Sequence, residues 1–342
     1  MSSKDENLSW YARKALLAAS PLPGVEPPPE RAAHLRSLLE ELVREGIKGD
    51  LESMTLYTRR LPPGCRSCVS GRGSNLFVTG LCTRDCFFCF NTKPRRDETV
   101  VHGLPVDDPE EAPAIVARYG LRSVGLSGGE PLLRPERALA LLKALKAMPD
   151  PPRVELYTNG DLATPGLLLR LRDAGLDAIR FDLAARDYDL MPVRRAISLI
   201  PEVAVELPVI PGHEARLRRM VLELDALGVP FLNIHELFLC ADNGARVQAA
   251  NHAPLDVESR HLLWRPTAAS GAAALKLLLF ALRETRTLSV YYCSCGTQEL
   301  IAARGLARRR RARKALAGAL RHSSAPEDGM RVPSSGPEIA PG

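Results

Sequence analysis

Three cysteines are spaced closely enough to act together. In Gly80-Leu81-Cys82-Thr83-Arg84-Asp85-Cys86-Phe87-Phe88-Cys89-Phe90 they form C-x3-C-x2-C. Thiolates are soft ligands that suit iron–sulfur clusters and zinc. Three on one tight loop hold three corners of a metal centre. No fourth ligand follows nearby, and an open metal position is where substrate chemistry takes place. Four more cysteines come in two close pairs, Cys65-Arg66-Ser67-Cys68 and Cys293-Ser294-Cys295. Such pairs are typical halves of a four-thiol site. They are expected to converge on a second centre, a 4Fe–4S auxiliary cluster or a structural zinc; two unrelated pairs of reduced thiols is the plain alternative. Cys240 has no partner by spacing and reads as a buried structural thiol.

Elements that could position these residues are legible in the apolar periodicity. Strand candidates run over Asn75–Thr79, Ser123–Leu126, Val154–Thr158, Ala178–Leu183, Val203–Ile210 and Phe231–Ile234. Helical spacing fills the gaps at Pro109–Tyr119, Pro135–Ala147, Pro165–Ala174, Val193–Ile200 and Glu214–Leu227, several opening beside proline. Strand–helix alternation argues for parallel strands with right-handed crossovers. Six units are too few for a closed eight-unit barrel. Pattern alone leaves an open partial barrel and a doubly wound sheet both open; the expected fold is α/β, a partial (β/α)6 barrel with an N-terminal helical extension and a C-terminal irregular and helical one. Residues 1–60 form the first extension, with helices at Leu8–Ala19 and Arg31–Glu45. Residues 61–236 form the core with the cysteine loop. Residues 237–322 carry the second cysteine pair, a helix at Ala272–Arg283, a last strand at Leu288–Tyr292 and a basic helix. Residues 323–342, rich in Ser, Pro and Gly, read as a disordered tail.

The triad, with aromatic Phe88 before its last thiol, resembles the cluster motif of the radical S-adenosylmethionine (SAM) superfamily. Three further segments carry the same resemblance, each at the end of an expected strand. Ser127-Gly128-Gly129-Glu130-Pro131 looks like the family's GGEP motif; Leu156-Tyr157-Thr158-Asn159-Gly160 and Val209-Ile210-Pro211-Gly212 occupy the places of two other cofactor contacts. The resemblance implies a 4Fe–4S cluster on Cys82, Cys86 and Cys89 whose fourth iron binds SAM. It also implies reductive cleavage of SAM to a 5′-deoxyadenosyl radical, and hydrogen abstraction from a substrate. Phe88, Gly128, Gly129, Glu130, Pro131, Tyr157, Asn159 and Ile210 would contact SAM, with Glu130 as an acceptor for its ammonium. Cys65-x2-Cys68, Phe77-Val78-Thr79-Gly80-Leu81-Cys82, Leu232-Asn233-Ile234-His235-Glu236-Leu237 and Tyr292-Cys293 are similar to a branch described as pyruvate formate-lyase-activating-enzyme-like. The alternative is a non-enzymatic iron–sulfur or zinc protein serving redox sensing or as a scaffold.

Substrate-side candidates follow from alternation. Arg180 and Asp182 share one strand face, either toward a substrate or as an internal ion pair. His235 ends the sixth strand and could exchange a proton or cap the strand. Glu155 and Glu206 are weaker candidates. The substrate is unknown, with peptides, RNA bases and small metabolites all open. The expected partner is a small one-electron donor such as flavodoxin or ferredoxin.

Composition narrows the setting. With 45% apolar and 25% charged residues, the chain is neither collagen-like nor wholly disordered. The net charge of +6 is local: Arg304–Lys314 holds six Arg and one Lys, and the remainder has 39 basic against 40 acidic residues. That run lacks interleaved aromatics, which favours a solvated helical face over a nucleic-acid site. The polar amino terminus predicts no signal peptide. The longest apolar stretch, Ala272–Leu282, is broken by Lys276 and too short for a bilayer. A cytoplasmic location without membrane contact is expected, where thiols stay reduced.

Overall fold

The structure is a computed structural model that describes residues 29–255 and 262–323. The helix expected at Leu8–Ala19 and nearly all of the expected tail lie outside the described residues. In chain order the elements are α1 (Pro29–Arg44), β1 (Lys48–Asp50), β2 (Thr55–Tyr57), α2 (Pro63–Val69), β3 (Gly73–Thr79), β4 (Thr99–Val101), β5 (Leu104–Val106), α3 (Glu111–Tyr119), β6 (Ser123–Gly128), α4 (Pro135–Lys146), β7 (Arg153–Thr158), α5 (Pro165–Asp173), β8 (Ala178–Phe181), α6 (Met191–Ala196), β9 (Val203–Val209), α7 (Glu214–Ala226), β10 (Phe231–Glu236), β11 (Phe238–Leu239), α8 (Gly244–Ala249), β12 (Arg265–Pro266), α9 (Ala268–Glu284), β13 (Ser289–Cys293) and α10 (Cys295–Ser323).

Local chemistry sets the helix ends. Pro165 opens α5 and the Thr164 hydroxyl accepts from Leu167 N at 3.3 Å, a standard N-cap. Gly120 ends α3 in the left-handed region at φ 58°, where a side chain would be strained.

The sheet runs β1-β2-β13-β10-β9-β8-β7-β6-β3-β4-β5. From β3 to β13 every neighbouring pair is parallel, and each successive parallel strand is added on the same side. The open sheet is therefore singly wound, as in a partial barrel, and lacks the reversal of a doubly wound fold. The flanks β2 and β4 pair antiparallel. The chain adds a seventh parallel strand to the six expected units. It is β13, the last strand expected at Leu288–Tyr292: residues 237–288 interrupt the rhythm, yet Phe231 to His235 pair in register with Ser289 to Cys293.

The two sheet faces differ in chemistry. One carries Leu76, Val78, Val124, Leu126, Val154, Leu156, Ile179, Val205, Leu232, Ile234 and Val290, all buried in one core with the helices. Burying each such side chain contributes about 1.5–3 kcal/mol. The alternate positions form an inner face with Tyr157, Arg180, Glu155, Glu206, Asn233, His235, Tyr291 and Cys293. Helix α2 lies across this inner face. Asn233 Nδ2 donates to Cys65 Sγ at 3.1 Å. A Cβ on Gly64 would land on the Glu155 carboxylate, and one on Gly73 would land on Cys68 Sγ. Helix α2 thus covers the N-terminal half of the inner face and leaves the C-terminal strand ends to form a site. Among the described residues no helix is long and apolar enough to cross a membrane.

Candidate active site

The cysteine loop leaves β3 at its C-terminal end. Gly80 N donates to Arg96 O at 2.8 Å and Thr79 Oγ1 to Asp97 Oδ1 at 2.8 Å, so the loop base is closed. Asp97 also takes Arg134 and Arg137. The Thr79 hydrogen bond and these guanidinium groups hold its carboxyl down at about 2. Cys82, Cys86 and Cys89 are all half-buried. Arg84 N donates toward Cys82 Sγ at 3.5 Å, Asn159 Nδ2 at 3.8 Å, and Arg95 Nη2 lies 4.0 Å from Cys89 Sγ. Donors at sulfur favour thiolate ligation. Burial, with Asp182 nearby, pushes the free Cys86 thiol up to about 12, so ligation must expel a proton.

Among the described residues no three His, Cys, Asp or Glu side chains converge on a single ion. A cubane does not require that, because each thiolate binds its own iron corner. Three separated thiols on one loop, each half-buried and two with N–H donors at sulfur, fit such a cluster.

Asp161 knots this loop to two others. Its carboxylate accepts from Thr83 Oγ1 at 2.9 Å and from Arg84 Nε and Nη2, both at 2.7 Å, and it also takes Arg186. Arg84 Nη1 donates to Ala185 O at 2.7 Å. The ends of β3, β7 and β8 are tied through one bidentate pair.

The glycine motif is placed by sterics. Gly128 has φ 122°, and Cβ atoms on Gly128 and Gly129 would strike the carbonyl oxygens of Thr79 and Leu81. Both glycines let the β6 exit lie directly against the β3 exit, with Gly129 N on Thr79 O at 2.8 Å and Glu130 N on Leu81 O at 2.7 Å. Glu130 is held by backbone and hydroxyl donors. It is 0% exposed. Its carboxylate accepts from Leu132 N, Thr158 Oγ1 and Asn159 N at 2.8–3.0 Å. Through Thr158 and Asn159, Glu130 links the β6 exit to the β7 exit. Pro131 is buried in the turn that follows.

The other expected contacts divide. Asn159 Nδ2 donates to Thr83 Oγ1 at 2.9 Å and stands by Cys82, inside the loop cluster. Tyr157 lies on the inner face, its ring 5.7 Å from the Arg180 guanidinium. Ile210 is buried just past the end of β9. Phe88 packs with Phe87 against Leu237, Leu239 and Val247, behind the loop.

Arg180 and Asp182 do not pair with each other. Arg180 is fully buried; its Nε donates to Glu155 Oε2 at 2.7 Å and its Nη1 stands 3.5 Å from Glu206 Oε2. Burial was compensated by the two glutamates because strand register brings β7 and β9 to either side of β8. Asp182 accepts from Ala185 N at 3.3 Å, and burial lifts its carboxyl to about 7. His235 Nε2 lies 3.0 Å from Glu206 Oε1. Burial pulls the imidazole down, but Glu206 outweighs it and holds it up at about 10. His235, Glu206, Asp182 and Tyr157 remain half-buried. Arg180 Nη2 and Asn233 Oδ1 are buried without a hydrogen bond among the described residues.

Of the second cysteine set, Cys65 and Cys293 pack together with Tyr291, and Cys68 lies on the same short helix as Cys65. Burial raises Cys65 well above the usual thiol range and Cys68 to about 12. Cys295 begins α10, where its N–H donates to Glu236 Oε2 at 2.6 Å. In the basic run, Arg304 donates to Val69 O, Arg308 to Gly71 O, and Arg309 to His102 Nε2 and O. Half of that run's arginines brace α10 on the protein. Sequence reasoning missed Asp161, Asn243 and Arg246. The last two lie in the irregular stretch beyond β10, and no local pattern marks them.

The fold, the thiol loop and the glycine turn define a class. Residues 76–206 match the family model of the radical SAM superfamily. Over 231 residues it is 30% identical to a Methanocaldococcus jannaschii protein named "Putative glycyl-radical enzyme activating enzyme", covering 64% of this chain and 60% of the relative. Over 200 residues it is 28% identical to a "Probable GTP 3′,8-cyclase" of Halobacterium salinarum, covering 53% and 51%. The chain thus spans between half and two thirds of these relatives' lengths. Among solved structures it is similar to the FeFe-hydrogenase maturase HydG of Carboxydothermus hydrogenoformans, with TM-score 0.43 and 13% identity over 75% of this chain and 64% of that one.

Proposed function

We propose that this protein is a radical SAM enzyme acting on a substrate held at the inner face of the sheet. The observation that carries the proposal is the apposition of the three-thiol loop to the Gly128-Gly129 turn, backbone against backbone, at the C-terminal strand ends. Cys82, Cys86 and Cys89 would hold a 4Fe–4S cluster. When bound, cluster and SAM supply reductive cleavage of the sulfonium to a 5′-deoxyadenosyl radical that takes hydrogen from the substrate.

The chain's own residues do the rest. Gly128 and Gly129 keep the β6 exit free of side chains beside the loop, and Asn159 and Asp161 fix the loop to β7. Below them, Tyr157, Asp182, Glu206 and His235 offer half-buried polar groups. Arg180 Nη2 and Asn233 Oδ1 add an unused donor and acceptor, the kind of buried group that a polar ligand or water completes. Helix α2 floors this space, so the substrate enters from the strand ends. The relatives' names point to glycyl-radical activation and to GTP cyclisation; the inner face supports a polar hydrogen donor without choosing between them. The partner is a one-electron donor of the flavodoxin or ferredoxin class. Cys65, Cys68, Cys293 and Cys295 are proposed as an auxiliary centre at the floor.

The test uses anaerobically reconstituted protein with dithionite and SAM. The expected result is 5′-deoxyadenosine from the wild type and none from Cys82→Ala/Cys86→Ala/Cys89→Ala. An intact, reducible cluster with bound SAM and no product, with or without candidate substrates, overturns the proposal.

A further inference from the structure

The segment beyond β10 reaches back and grips the cysteine loop. Asn243 Nδ2 donates to Phe88 O at 2.9 Å and to Phe238 O at 3.1 Å. Arg246 Nη1 donates to Cys86 O at 2.7 Å, and its Nη2 to Cys89 O at 2.9 Å. The apolar side of the contact is Phe87 and Phe88 against Leu237, Leu239 and Val247. One guanidinium therefore spans the carbonyls of two thiol-bearing residues. A planar fork with permanent charge suits that task, and a lysine ammonium could not span both sites in the same way.

The charges around this contact are unequal. Arg246 shares Asp85 with Lys93 and Arg95, so one carboxylate faces three cations. Asp85 is 65% exposed at its side chain, whereas Arg246 is 28% exposed. Solvent screens the acid more than the guanidinium. A fixed positive charge at the loop favours whichever state of a bound centre carries more negative charge.

We infer that Arg246 is a positioning residue for the cysteine loop and that its charge raises the reduction potential of the iron–sulfur centre held there. The inference rests on the cluster assignment under Proposed function. It concerns a residue outside the span that matches the family model. Reduction adds an electron to the centre; Arg246 stabilises the reduced form by electrostatics and holds the loop by hydrogen bonds.

The experiment compares full-length wild type, Arg246→Gln and Arg246→Lys, reconstituted anaerobically and without SAM. Midpoint potential is read by mediator titration with electron paramagnetic resonance, and iron loss by chelator challenge. Arg246→Gln is expected to have a lower potential and several-fold faster iron loss. Arg246→Lys is expected to recover most of the potential while losing iron faster than wild type. Wild-type potential and iron retention in Arg246→Gln overturn the inference while leaving the cluster assignment standing. Equal potentials in the Gln and Lys variants, both below wild type, overturn the charge assignment. Failure of Arg246→Gln to take up iron supports positioning and leaves Arg246→Lys to read the charge. Absence of any cluster from wild type overturns the assignment and the inference together.

Discussion

Arg180 shows how a single side chain can be costly and still required. It is enclosed on the inner face, and its charge is balanced by Glu155 and Glu206. Removing one partner from such a cluster strands the remaining charges in a low-dielectric interior. Arg180→Met is expected to destabilise the fold by roughly 3–5 kcal/mol, read as a lower urea midpoint. An unchanged midpoint would mean the glutamates are already neutral or hydrated. Glu130 teaches the complementary lesson. Its carboxylate accepts from Leu132, Thr158 and Asn159, and through them it joins two strand exits.

Helix α2 brings two of the second-set cysteines onto the inner face, and a glycine allows it. A Cβ at Gly64 would overlap the Glu155 carboxylate, the same carboxylate that balances Arg180. Gly64→Ala should therefore lift α2 or displace Glu155, costing about 1–3 kcal/mol as an overpacked site. Chemical denaturation measures the cost; a neutral variant would show that α2 packs less tightly than the structure places it. The strap around α8 is the second element with such leverage, since it reaches the loop through Asn243 and Arg246 from outside the strand–helix rhythm.

Long-range fastening closes the molecule. Arg309 on α10 donates from Nε to His102 Nε2 at 2.8 Å, while His102 Nδ1 lies 2.8 Å from Ser74 Oγ. Arginine only donates, so His102 must be neutral, with its proton on Nδ1. Burial and the Arg309 charge hold its pKa down at about 4, against 6.5 in the unfolded chain. Between those values the unfolded state binds more protons, so this contribution to stability falls as pH falls from about 6.5 to about 4. Urea midpoints across that range should drop further in wild type than in His102→Phe. Equal slopes would mean that His102 titrates normally in the folded chain.

The sequence by itself determined the thiol loop, the glycine turn and the strands that the parallel sheet uses among the described residues, Leu288–Tyr292 included, because each depends on local spacing. Alternation also placed Arg180 and Glu206 on strands where one face could be polar. Tertiary structure decided what those residues meet. Register set Arg180 between Glu155 and Glu206 instead of beside Asp182. The last strand, expected at Leu288–Tyr292, could not be assigned a neighbour from sequence because residues 237–288 separate it from β10, and parallel pairing depends on what lies alongside, not on distance along the chain. Arg246 is 157 residues from Cys89. Only the folded backbone brings its guanidinium to that carbonyl, since a hydrogen bond is decided by proximity in space, which no local pattern around position 246 encodes.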